Sequence, residues 1–257
     1  QYMLMGETVT GGLAVDAMID PNYRRQGIFS ALQEYSINHS QFHFFIGYTI
    51  RKEILPAEIR GGYKIIKHIP VFIFPINFTN ILSSYCKKTL INNKMGCVLK
   101  KTHEILFRNS LKNSNMVVTS VDNIGESIGR FFNNQYKNHQ IKVKKSAGYL
   151  EWRFDQNAFI KYQKFIVLEH DKVVAYFILR GENILNLNAL NVIDLEIVEE
   201  RKDLIRLILT FIIDHAKKND YDCIAYFLSD NGFISKKLKL SRAIIFPSYA
   251  DHDIPHL

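Results

Sequence analysis

The residues best suited to chemistry lie close together in Asp20-Pro21-Asn22-Tyr23-Arg24-Arg25-Gln26-Gly27-Ile28-Phe29-Ser30. Before them, Leu13, Val15, Ala17 and Ile19 alternate with Ala14, Asp16 and Met18, the period of a strand. After Gly27 the period changes: Ile28, Ala31, Leu32 and Tyr35 fall on one helix face. Two guanidiniums and a glycine therefore stand at a helix start, where backbone N–H groups lack partners and the helix dipole is positive. A phosphate group satisfies both. Gly27 admits the backbone without a Cβ, Arg24 and Arg25 add charge, and Ser30 offers a hydroxyl. Asp20 and Pro21 end the strand and aim the turn. On spacing alone, an ordinary strand–helix connection with exposed arginines fits as well.

Other chemistries find less support. Cys86, Cys97 and Cys223 are far apart with no CxxC pair, and the nine histidines are scattered, so neither a disulfide framework nor a metal site is expected. The net charge of +8 favours polyanionic partners without choosing among them. No stretch reaches the ~18 apolar residues of a membrane span; Leu204 to Ile213 is interrupted by Arg206. A cytoplasmic location is the default expectation. The chain opens inside what reads as a strand, so further residues are expected upstream of Gln1.

The elements that must position the loop follow from periodicity. Gln1–Met5 and Thr8–Ile19 read as strands about a Gly6-Glu7 turn, with Gly11-Gly12 marking a bulge or close backbone approach. Helix 28–38, strand Phe42–Ile50, a short helix Lys52–Arg60 perturbed by Pro56, and strand Tyr63–Pro75 come next. Ile81–Asn115 is polar and basic, with Lys87, Lys88, Lys100 and Lys101, and reads as a helical connector or a polyanion-binding surface. The second half gives strand Val117–Val121, helix 123–138, a short helix Tyr149–Phe154 and a hairpin Phe165–Leu168/Val173–Leu179. Strand Val192–Val198, helix Lys202–Lys218, strand Cys223–Leu228, helix Asn231–Leu240 and strand Ala243–Ser248 complete it. The expected fold class is α/β with mixed sheets. The expected organisation is a first module at 1–78, a connector at 79–115 and a second module at 116–257.

The run 20–32 resembles the acetyl-CoA loop of Gcn5-related N-acetyltransferases (GNAT). That family's pattern is Arg/Gln-x-x-Gly-x-Gly/Ala. Arg24 and Gly27 match its first and fourth places, and Phe29 stands where a small residue is usual. The resemblance covers about residues 1–76. It implies an acyl-CoA N-acyltransferase fold, acetyl-CoA as cosubstrate and a small primary amine, such as an amino sugar, as acceptor. It implies cofactor contacts from Met18, Ile19, Arg24, Arg25, Gln26, Gly27, Ile28, Phe29 and Ser30. No metal and no nucleic-acid partner are expected.

The second module resembles the same fold without the loop. Glu199-Glu200-Arg201-Lys202-Asp203 stands at the matching place, with no glycine and three carboxylates to repel a pyrophosphate. The resemblance thus implies two tandem modules with a degenerate second copy. Acetyl transfer needs a base for the amine and an acid for the thiolate. Asp16 is the candidate base on its strand. The family's acid tyrosine lies four residues before a Gly-Phe/Tyr pair; that pair is Gly62-Tyr63 here, and Glu58 occupies the place. Tyr48 is the substitute acid and Glu58 a second candidate base. An acyl-CoA-binding protein without turnover is the main alternative.

Overall fold

The computed structural model describes residues 1–4, 6–14, 18–47, 54–66, 71–77, 80–81, 115–128, 141–184, 186–197, 201–227 and 244–246. The chain divides into two units. The first comprises Gln1–His68, Phe132–Lys145 and Ser248–Leu257; the second comprises Ile69–Phe131 and Ser146–Pro247. Apart from its ends, the basic stretch 81–115 lies outside the described residues.

In the first unit, β1 (Tyr2–Leu4) and β2 (Glu7–Val9) form the expected hairpin, with Gly6 at φ +92° in the turn. A strand from far along the chain, β7 (Ile141–Val143), pairs antiparallel on the other side of β1. Of the long strand read over Thr8–Ile19, Thr8 and Val9 belong to β2, Gly11–Ala14 forms β3, residues 15–17 lie outside the described residues, and residues 18–19 are not in a strand. β3 lies parallel to β4 (Phe44–Gly47), from Gly11↔Phe44 to Ala14↔Gly47. Gly11 and Gly12 are places of close approach. A Cβ on Gly11 would come within 2.7 Å of the Tyr2 ring, and one on Gly12 within 2.7 Å of the Phe45 ring. Between the two strands stand a one-turn 3-10 helix, Pro21–Tyr23, and α1 (Ile28–His39).

The second helix of this unit, α2, spans Leu55–Arg60. Pro56 falls in its first turn, where no N–H is needed, so it opens the helix rather than disturbing it. The apolar stripe expected to bury α1 does not do so. Ile28 is half-buried, while Ala31, Leu32 and Tyr35 are exposed.

The second unit holds the hydrophobic core. Its seven-stranded sheet joins β5 (Val71–Pro75), β6 (Met116–Ser120), β8 (Gln163–Glu169), β9 (Lys172–Ile184), β10 (Leu187–Ile197), β11 (Cys223–Phe227) and β12 (Ile244–Phe246). The order is β12-β5-β11-β10-β9-β8-β6; β10 and β11 run parallel and the other neighbours antiparallel. Of the strand read as Tyr63–Pro75, residues 63–66 are not in a strand, residues 67–70 lie outside the described residues, and Val71–Pro75 forms β5, inserted between β11 and β12 with Ile73 opposite Ala225.

The crossover from β10 to β11 is α5 (Lys202–Lys218), a long amphipathic helix. It buries Leu204, Ile205, Ile208, Ile212 and Ala216 against Phe72, Phe74, Phe165, Phe177, Leu190, Val192 and Ile224. Each fully buried side chain of this kind contributes about 1.5–3 kcal/mol. Two short helices, α3 (Ile124–Ile128) and α4 (Ala147–Leu150), precede the hairpin, and α4 runs on into a π turn at Glu151–Asp155. Asp155 ties them together. Its carboxylate accepts from the amides of Ile124 and Gly125, both at 3.1 Å, and pairs with Lys164 at 2.8 Å. Among the described residues, no helix is long and apolar enough to cross a membrane.

Candidate functional site

The loop that carries the basic residues is shaped by its own side chains. Asp20 Oδ1 accepts from the Asn22 amide at 2.8 Å, an Asx turn that starts the 3-10 helix at Pro21. The Arg24 Nε donates to the Ile19 carbonyl at 3.0 Å, folding the side chain back on the incoming segment. Gln26 Nε2 donates to the Asn22 carbonyl at 3.3 Å. Arg25 takes φ +63° and Gly27 φ +80°, so the chain turns twice through the left-handed region before the helix begins. Arg25 adopts it at a cost of about 1–2 kcal/mol; Gly27 does so freely.

Gly27 is the N-cap of α1, and no side chain caps the helix there. The first intrahelical bond runs from the Ala31 amide to the Gly27 carbonyl at 3.0 Å. The amides of Gly27, Ile28, Phe29 and Ser30 therefore precede the helical ladder. No acidic residue stands in the first turn. A Cβ built on Gly27 meets nothing within 4 Å, so the side of the loop it would fill is open. Arg24, Arg25, Gln26, Gly27 and Ser30 are exposed, and Ile28 and Phe29 half-buried. Met18 is 88% exposed. These features suit an anion: free amide donors, a positive dipole end and no carboxylate in the first turn of α1, with the exposed Arg24 and Arg25 in the same loop.

The candidate catalytic residues are placed unevenly. Asp16 and Tyr48 lie outside the described residues. Glu58 sits in α2, and its carbonyl accepts from the Tyr63 amide at 3.1 Å. Partial burial, and then the Glu58 charge, push the Tyr63 phenol above its ordinary value, so it stays protonated at neutral pH. The helix that carries Glu58 meets α1 at a point the sequence did not reveal. The side-chain amide of Gln33 on α1 lies against Gly61 at the end of α2, where a Cβ would displace it. The Gln33 Oε1 is buried with no hydrogen-bond partner.

The second unit repeats the strand–helix–parallel strand step in β10–α5–β11, but its helix start is occupied from within. Arg201 is the N-cap of α5. Its guanidinium reaches Glu169 at 2.6 and 3.0 Å and Asp203 at 2.6 and 3.3 Å. Hydrogen bonds from Arg201 hold both carboxyls below the ordinary carboxylate range, and those two bonds raise the guanidinium above its own. Among the described residues, no group of three or more His, Cys, Asp or Glu side chains is placed to hold a metal ion.

No protein-family model matches the chain, and no curated protein matches it by sequence. Solved structures do match by shape. A GCN5-related N-acetyltransferase from Kribbella flavida superposes with a TM-score of 0.53 at 14% identity, over 90% of this chain and 48% of that one. A second such enzyme, from Anabaena variabilis ATCC 29413, gives 0.50 at 14% identity, over 88% and 50%. A conserved protein of unknown function from Enterococcus faecalis V583, given as a probable N-acyltransferase, gives 0.59 at 10% identity, over 95% and 54%. The chain thus has the mixed α/β fold of GCN5-related N-acetyltransferases, and it spans about half the length of these structures.

Proposed function

We propose that this chain is an acyl-CoA-dependent N-acyltransferase that moves an acetyl group from acetyl-CoA to the primary amine of a small molecule, an amino sugar being the acceptor class favoured by resemblance. The observation that carries the reading is the start of α1: a left-handed Gly27 with open space beside it, uncapped amides and no acid in the first turn. The amides of Gly27 to Ser30 would hold the pyrophosphate, with Arg24 and Arg25 alongside and Met18 and Ile19 at the edge of the pantetheine path. Bound acetyl-CoA supplies an activated thioester.

This chain's own side chains then manage protons. Asp16 or Glu58 takes one from the acceptor ammonium, leaving a free amine to attack. Tyr48 gives one to the departing thiolate sulfur, and the second proton leaving the attacking nitrogen restores the Tyr48 phenol. A strand N–H polarises the thioester carbonyl.

In this reading the second unit is a degenerate copy of the first. Arg201, held by Glu169 and Asp203, fills the place that a phosphate would take.

Thiol release from acetyl-CoA across a panel of primary amines tests the enzyme. Release that needs both an amine and the chain supports transfer. Acetyl-CoA binding with no release for any amine would leave a cofactor-binding protein and end the catalytic reading.

A further inference from the structure

The seven-stranded sheet ends on β6, which pairs with β8 on one side only. An open strand edge invites pairing with another strand, and folded proteins guard against it with charge, proline or brevity. The other edge of this sheet, β12, is three residues long, and Pro247 follows it in sequence. The two edges of the small sheet in the first unit carry Glu7 in β2 and Lys142 in β7. β6 has none of these guards. It reads Met-Val-Val-Thr-Ser, and no charged residue or proline stands between Ser114 and Val121. Val117 is 59% exposed, and Thr119 and Ser120 are exposed as well.

The phase of the ladder decides which backbone groups face out. The Val121 amide donates to the Lys164 carbonyl at 3.0 Å. Bonded pairs alternate along an antiparallel ladder. Thr119 and Val117, opposite Ile166 and Leu168, therefore turn their N–H and C=O groups to β8, and Met116, Val118 and Ser120 turn theirs outward. Among the described residues, nothing takes up those outward groups. Side chains divide by the same alternation. Met116 and Val118 lie with the core on the α5 side, and Val117 and Thr119 stand on the opposite face.

We propose that two copies of the chain join edge to edge through β6, antiparallel, with a twofold axis at Val118. The outward groups are symmetric about that residue. Val118 exchanges N–H···O=C bonds with Val118 of the second copy, and Met116 and Ser120 do so with each other in both directions. The same register sets Val117 against Thr119 at the closer, non-bonded positions, a β-branched pair that covers the exposed valine. Asn115 meets Val121. No like charges come face to face, so a second copy fits this edge without the repulsion that charged edge strands supply. A twofold contact of this kind closes on itself and gives a dimer with one continuous sheet, not a fibre. One strand pair makes a small interface, so association depends on concentration. The β6 edge shares no residue with the loop at Arg24, and dimerisation stands or falls apart from the transferase reading.

Sedimentation velocity of the full chain from about 1 to about 100 μM tests the dimer. A concentration-dependent monomer–dimer transition is expected. Val117→Lys with Thr119→Lys sets lysine against lysine on both sides of the axis and should weaken association at least about tenfold. Val117→Glu with Thr119→Lys sets glutamate against lysine and should restore it. Ser120→Pro removes an outward N–H and leaves the ladder to β8 whole, so it should weaken association about tenfold with the thermal midpoint little changed. A monomer at every concentration would overturn the proposal. So would a dimer that the two-lysine variant and Ser120→Pro both leave intact, or one that the glutamate–lysine variant fails to restore.

Discussion

Arg201 and Glu169 meet as a two-pronged ion pair, Nη1 to Oε2 at 2.6 Å and Nη2 to Oε1 at 3.0 Å, across 32 residues of sequence. The pair fixes the turn end of the β8–β9 hairpin to the first residue before α5. At the equivalent place before α1 stands Gly27, with no side-chain cap and no acid in the turn that follows. The two helix starts thus have opposite electrostatic character: one is filled by the chain's own charges, and the other is open to an anion.

The Arg201 clasp predicts acid sensitivity. Glu169 and Asp203 have folded-state values below their unfolded ones. Their contribution is present above the unfolded carboxylate range, roughly pH 4, and is lost as pH falls through the lower folded values. Thermal midpoints measured from pH 7 down to pH 3 should fall more steeply for wild type than for Glu169→Gln. Identical curves would remove the clasp from the account.

His215 predicts a second pH effect, higher on the scale. Burial, and then the nearby Lys218 charge, lower its value in the fold, where it stacks on Phe211 and meets Gln163 Oε1. The neutral ring suits the folded state, so stability is full above the unfolded histidine value of roughly 6.5 and declines as pH falls through the lower folded one. Replacing His215 by Phe should flatten that part of a urea-midpoint profile between pH 7 and pH 5.

Burial differs sharply between the two crossover helices. Ile208 of α5 is 0% exposed, whereas Leu32 of α1 is 55% exposed. Ile208→Ala should cost about 2–5 kcal/mol in urea unfolding, and Leu32→Ala should stay within about 0.5 kcal/mol. A large loss from Leu32→Ala would mean that α1 is packed against something in solution.

Asp155 joins two short helices and pairs with Lys164, whose side chain is 12% exposed. Asp155→Ala removes a cap from two amides and leaves a nearly buried ammonium unpaired, a change expected to cost about 3–5 kcal/mol. Asp155→Asn, which can still accept from an amide, should cost less. Equal losses in the two variants would contradict the dual role.

Local pattern carried much of the fold into the sequence. Lys202–Lys218 was legible as a helix because Leu204, Ile205, Ile208 and Ile212 recur at helical spacing, with the exposed Arg206 off that face and no Gly or Pro in the run. The loop at Arg24 was legible because glycine, arginine and proline each constrain backbone or charge within a few positions. Pairing at long range was not. Val71–Pro75 reads as a strand from its own residues, yet its partners Cys223–Phe227 and Ile244–Phe246 lie about 150 and 170 residues onward, and no local signal names them. The Gln33–Gly61 contact and the Glu169–Arg201 pair were hidden for the same reason. The stripe on α1 shows the converse limit: helical spacing of Ile28, Ala31, Leu32 and Tyr35 fixes a face but not what, if anything, covers it.

The proposed activity requires the amides before Ala31 to receive a diphosphate, and calorimetric titration with acetyl-CoA tests this directly. Wild type should bind, and Gly27→Glu, with an unchanged circular-dichroism spectrum, should bind at least about tenfold more weakly, because a carboxylate then stands in the open space beside the helix start. Equal affinities for the two proteins would contradict the assignment of the loop.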